Sequence, residues 1–90
     1  MKRLKGQEIQ KVIQLFENEL GMLPKVNRTD KMRLRKKIQN TLMPLLNAPG
    51  VTPEIVAQRV ESRLEDVLAL FIDPNLFMSK LNSLLHEKLG

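Results

Sequence analysis

The sequence predicts an all-α protein: a compact four-helix domain, packed as an irregular or orthogonal array rather than a regular up-down bundle. Three observations predict it. Apolar residues recur at three- and four-residue steps in four segments, and no segment alternates convincingly with period two. Two of those segments open on a capping residue followed by proline, Thr52-Pro53 and Asp73-Pro74. Hydrophobic residues make up 42% of the chain and charged residues 28%, a globular balance rather than that of a disordered segment. Ninety residues are expected to form one domain over 1–90, and no internal repeat or low-complexity segment divides them.

The first helix is expected over 7–20. Ile9, Val12, Ile13, Phe16 and Leu20 share one face, while Glu8, Lys11, Gln14, Asn18 and Glu19 lie away from it. Gly21 suits a left-handed residue after the helix end, Met22 is expected to fold back onto Phe16, and Pro24 prevents continuation.

The second helix is expected over 28–43, capped by Asn27 or Thr29, with Asp30 complementing the helix dipole in the first turn. Leu34, Ile38, Leu42 and Leu45 form its main stripe, and Met32, Met43 and Leu46 widen it. Pro44 lacks an amide hydrogen, so it ends the helix near Met43 or kinks it there. Asn47-Ala48-Pro49-Gly50 reads as a loop, with Pro then Gly at the centre of a type II turn.

The third helix is expected to run unbroken over 53–72 on the stripe Val56, Val60, Leu64, Val67 and Phe71, with Ala57 and Leu68 beside it. The fourth is expected over 74–88, with Phe77, Met78, Leu81, Leu84 and Leu85 inward. Only Asp73 separates these two, so they are expected to meet at a tight corner.

Composition narrows the function classes. With no cysteine there is no disulfide framework, thiolate nucleophile or Cys-based zinc site. The same absence makes an intracellular home, cytoplasmic or nuclear, the expectation. Met1-Lys2-Arg3-Leu4-Lys5 is basic, but Gly6-Gln7-Glu8 follows where a signal peptide needs an apolar stretch. The longest apolar run, 67–72, falls far short of the roughly 18 residues of a membrane span. Without Trp or Tyr, and with three Phe, the core must come mainly from Leu, Ile, Val and Met, and at this size it is marginal.

Charge is unevenly distributed. Residues 1–46 carry 11 basic and 4 acidic side chains, residues 47–90 carry 4 and 6, and the whole chain is +5. The first half therefore attracts polyanions. Residues 25–37 hold Lys25, Arg28, Lys31, Arg33, Arg35, Lys36 and Lys37 against Asp30 alone. Helical spacing sets Arg33, Lys36, Lys37 and Asn40 roughly opposite Leu34, Ile38 and Leu42. Arg28, Lys31, Arg33, Lys36, Lys37 and Asn40 are the candidate nucleic-acid-binding residues: the cations neutralise phosphates, and Asn40 reaches a base edge. The alternative readings of the stripe are a solvated face that keeps a basic protein soluble, or contact with an acidic protein or a membrane surface. Arg35 sits at the edge of the apolar sector and is expected to pair with an acid of the third helix.

Residues 52–60 resemble the first helix of a helix-turn-helix. Glu61 stands where the turn usually takes Gly, Ser62 where an apolar residue is usual, and Glu65 and Asp66 would repel phosphates from the reading helix. The unbroken third helix is the better account. All three Phe fall on core faces, which argues against base stacking and favours duplex over single strand.

Catalysis has little to work with. His86 is the only histidine, with Ser83 three residues before it and no acid placed to orient the imidazole. Glu61 and Glu65 lie one turn apart with only Asp66 nearby, so no metal is implied; nor is a cofactor. Apolar residues off the stripes are the second candidate feature. Met32, Met43, Leu46, Ile55 and Leu70 are expected to line a partner groove, with Leu15 and Met22 also off their stripe. Two functions are compatible with these features. One is a non-enzymatic basic module contacting duplex nucleic acid through helix two, as a dimer. The other is a helical adaptor that docks a partner segment between its helices, or a homodimer.

Overall fold

The computed structural model describes residues 4–89. In order, the described helices are α1 Gly6–Gly21, α2 Arg28–Asn47, α3 Pro53–Arg63, α4 Glu65–Leu68 and α5 Pro74–Leu89. No strand occurs among the described residues, so the all-α class stands. The radius of gyration, 12.6 Å, is close to the roughly 12 Å of a compact chain this long.

Local chemistry sets most helix ends. At α1, Lys5 N–H donates to Glu8 Oε1 at 2.9 Å. Gly21 stays within the helix, and the only positive φ among the described residues is at Gly50. The expected left-handed glycine is therefore replaced by a tightened last turn. Met22 N–H donates to the Glu19 carbonyl at 3.1 Å, and Leu23 N–H to that of Leu20 at 3.2 Å. Met22 does not fold into the core but stands exposed, and Leu23 is buried instead.

Asn27 is the cap of α2, its Oδ1 accepting from Asp30 N–H at 2.8 Å. The helix does not end at Met43. It passes through Pro44 and closes at Asn47, whose Nδ2 donates to the Met43 carbonyl at 2.8 Å. Pro44 cannot donate to the Asn40 carbonyl four residues back, but both residues are exposed, so solvent can take the place of the missing donor. The continuation matters for packing. Leu46 falls one turn after Leu42 and is fully buried, while Leu45 is half-buried. Gly50, at φ 76°, provides the left-handed residue that the type II turn requires.

Thr52 and Pro53 start α3 as expected, with Thr52 Oγ1 accepting from Ile55 N–H at 3.2 Å. The unbroken helix over 53–72 is not formed. Leu64, at φ −117° and ψ 25°, interrupts it, and the four-residue α4 comes next with Glu65 and Asp66 in its first turn. After α4 the chain tightens through bonds from Leu70 to Val67 and from Phe71 to Leu68. The tight corner is thus a ten-residue passage, Leu64 to Asp73, with α4 inside it. Asp73 caps α5, its Oδ1 accepting from Leu76 N–H at 3.0 Å.

The break has a packing consequence. It brings Phe71 against Phe77, ring centroids 4.8 Å apart, and within 6.4 Å of Phe16. Phe16 and Phe77 meet edge to face at 4.7 Å. Such tilted pairs contribute about 0.5–1.5 kcal/mol each beyond their burial. The trio belongs to one contiguous core with Val12, Leu20, Ile38, Leu42, Leu46, Val60 and Leu81. α1 packs on α2 and α5, α3 on α5 and α4, and α2 meets α3 more lightly.

Candidate interaction surfaces

Two surfaces stand out. The first is the outer face of α2. Residues roughly opposite Leu34, Ile38 and Leu42 must face solvent, and Arg33, Lys36, Lys37 and Asn40 do so together. Arg28 is exposed at the first helical position but lies off this face, five full turns before the buried Leu46. Lys31 is half-buried and lies off this face, because it precedes the core residues Leu34 and Ile38 by three and seven positions. Two of the cations have carboxylate partners. Arg33 pairs with Asp30 at 3.1 Å, and Lys37 with Asp66 at 2.6 Å. The hydrogen bond from Lys37 holds the Asp66 carboxyl below its ordinary value. Coulomb attraction to the same ammonium and the backbone N–H groups of Val67 and Asp66 act in the same direction, against desolvation.

Arg35 pairs with Glu17 of α1 at 3.4 Å, not with an acid of α3. Gln39 Nε2 also donates to Glu17, at 3.3 Å. The reason is that α1, rather than α3, is the main neighbour of α2. As for the helix-turn-helix, the chain does break after α3. The helix on the far side of the break, α4, has four residues, two of them acidic, and is too short to read a groove.

The second surface is apolar. Met22, Leu70, Ile72 and Leu76 are all about half exposed or more, with Ile72 the most exposed at 72%. They line two neighbouring concavities that share Ile72. One, of about 200 Å³, is lined by Met22, Leu76 and Phe77 together with the charged Glu19, Asp73 and Lys80. The other, of about 360 Å³, is bounded by Leu23, Pro24, Val26, Ala69 and Leu70, with Lys25 as its one charged residue.

Of the residues expected to line a partner groove, only Leu70 lies here. Leu46 is fully buried and lines no surface; α2 runs past Pro44 and carries it into the core. Met32, Met43 and Ile55 are exposed but line neither concavity. Sequence reasoning misses Ile72 and Leu76. Apolar spacing places Ile72 in a long third helix, whereas α4 ends at Leu68, and Leu76 lies just off the Phe77–Leu81–Leu85 stripe. The signal available is two apolar residues flanking a cap, Asp73-Pro74, without stripe partners.

Ser83 and His86 are both exposed on α5. Among the described residues no three His, Asp or Glu side chains gather to hold a metal ion, and no helix is long and apolar enough to cross a membrane. No protein-family model, curated protein or solved structure matches the chain.

Proposed function

We propose that the protein is a non-enzymatic binding module that contacts duplex nucleic acid through α2. The observation that supports this reading is the exposed group Arg33, Lys36, Lys37 and Asn40 on one side of a twenty-residue helix, with Arg28 at its start. The carboxylates of Asp30 and Asp66 do not remove the capacity to bind phosphate. Arg33 is 77% exposed and Asp66 60% exposed in their pairs, and exposed ion pairs are worth about 0–1 kcal/mol. A phosphate competes with each carboxylate on nearly equal terms. Arg28, Arg33, Lys36 and Lys37 take the phosphate roles, and Asn40 the base-edge role.

The test is anisotropy of a labelled random-sequence duplex at about 50 and 200 mM salt. Four phosphate contacts lower affinity on the order of a hundredfold over that range. Replacing Arg33, Lys36 and Lys37 together by Ala abolishes binding and leaves helicity unchanged. Absence of binding at the lower salt sinks the proposal. A protein-docking role is the second reading, and the apolar groove around Ile72 favours it.

A further inference from the structure

We infer that a second copy of this chain occupies the apolar groove, forming a two-fold dimer whose axis passes beside Ile72. Two observations mark this face as an association surface. Ile72 stands 72% exposed between two concavities, so it projects where a partner has room to receive it. Met22 and Leu76 flank it on one side and Leu70 on the other, each about half exposed, which extends the apolar surface in both directions. An apolar surface of this kind, bordered by charge, is a typical site of protein association.

Charge selects the second copy as occupant. The chain as a whole is +5, yet the charged residues around the groove are Glu19, Asp73, Lys25 and Lys80, two of each sign. They are also segregated. Both carboxylates border the concavity of Met22 and Leu76, outnumbering Lys80 there, and Lys25 alone borders that of Leu70. A two-fold axis that passes beside Ile72 and runs across the line joining the two concavities lays the first concavity of one copy over the second concavity of the other. Glu19 and Asp73 then face Lys25 of the second copy, and the reverse contact follows by symmetry. The basic face of α2 offers no such match to itself. No residue that lines the groove comes from α2, and dimerisation there is measured without nucleic acid.

The test is sedimentation equilibrium of the full chain across about a hundredfold range of concentration, with circular dichroism as the folding control. The wild type changes from a monomer of 10.4 kDa towards twice that mass as concentration rises. Ile72→Glu raises the dissociation constant by about thirtyfold or more, the size of a central interface loss. Leu76→Lys is a second variant at an exposed site and acts in the same direction. Lys25→Glu weakens the dimer severalfold, and adding Glu19→Lys restores it. A chain that remains monomeric throughout overturns the proposal and leaves the groove to a different protein. A dimer indifferent to Ile72→Glu and Leu76→Lys also overturns it, because its interface then lies elsewhere.

Discussion

Lys37 Nζ lies 2.6 Å from Asp66 Oδ2, joining the middle of α2 to the first turn of α4 across 29 residues of chain. The contact exists because the chain breaks at Leu64 and α4 starts there with its acids, Glu65 and Asp66. It also sets a carboxylate beside the basic face of α2.

Asp66→Asn therefore has two expected effects. Removing the negative charge strengthens duplex binding severalfold at low salt, measured by the same anisotropy titration. The stability effect follows from the Asp66 carboxyl lying below its ordinary 3.8 in the folded chain. Its contribution is present above about pH 4 and is lost as pH falls through the folded value. Because the pair is exposed, the size is a few tenths of a kcal/mol. Urea denaturation should show a larger difference between the wild type and Asp66→Asn at about pH 6 than at about pH 3.

Sequence spacing sets Leu46 and Ile55 alike off the main stripes, and truncation separates them. Leu46→Ala empties a fully buried site and costs about 2–5 kcal/mol. Ile55→Ala, at a site 41% exposed, costs less than about 1 kcal/mol. Thermal melting of the two variants checks the contrast. A small loss at Leu46 would contradict the continuation of α2 into the core.

Pro44→Ala restores an amide donor to the Asn40 carbonyl in the interior of α2. It should stabilise the protein by about 1–3 kcal/mol, since proline is the poorest interior helix residue. Denaturant midpoints measure this directly. No gain would mean that the helix already stops before Pro44 in solution.

Phe16 is fully buried and contacts both other phenylalanines. Phe16→Ala should cost about 3–5 kcal/mol, a large part of the stability of a domain this small. Loss of cooperative melting at room temperature is the expected readout.

The features legible in the sequence are those governed by neighbours in the chain. The amphipathic stripe of α1 is readable residue by residue, since Ile9, Val12, Ile13, Phe16 and Leu20 are its buried set. The caps Asn27, Thr52 and Asp73 are equally visible, because a side-chain oxygen reaches an amide only two or three residues away. The basic face is legible for Arg33, Lys36, Lys37 and Asn40. Lys31 shows the limit: its charge suggests exposure, while its spacing from Leu34 and Ile38 sets it on the core side.

Other features depend on long-range packing. Periodicity continues across Leu64, so nothing local announces a break; the break brings Phe71 to Phe16 and Phe77, and Phe16 is far away in sequence. Pro44 reads locally as a stop, but burying Leu46 beside the other core leucines of α2 offsets the lost hydrogen bond. The partners of Arg35 and Lys37 depend on which helices lie next to α2, and the exposure of Ile72 depends on what fails to cover it. Spacing and short-range bonds are enough to specify an all-α chain with well-defined caps and a basic second helix. The end of α3, the cations that meet carboxylates and the apolar residues left outside are set by packing, because each depends on surfaces brought together from distant parts of the chain.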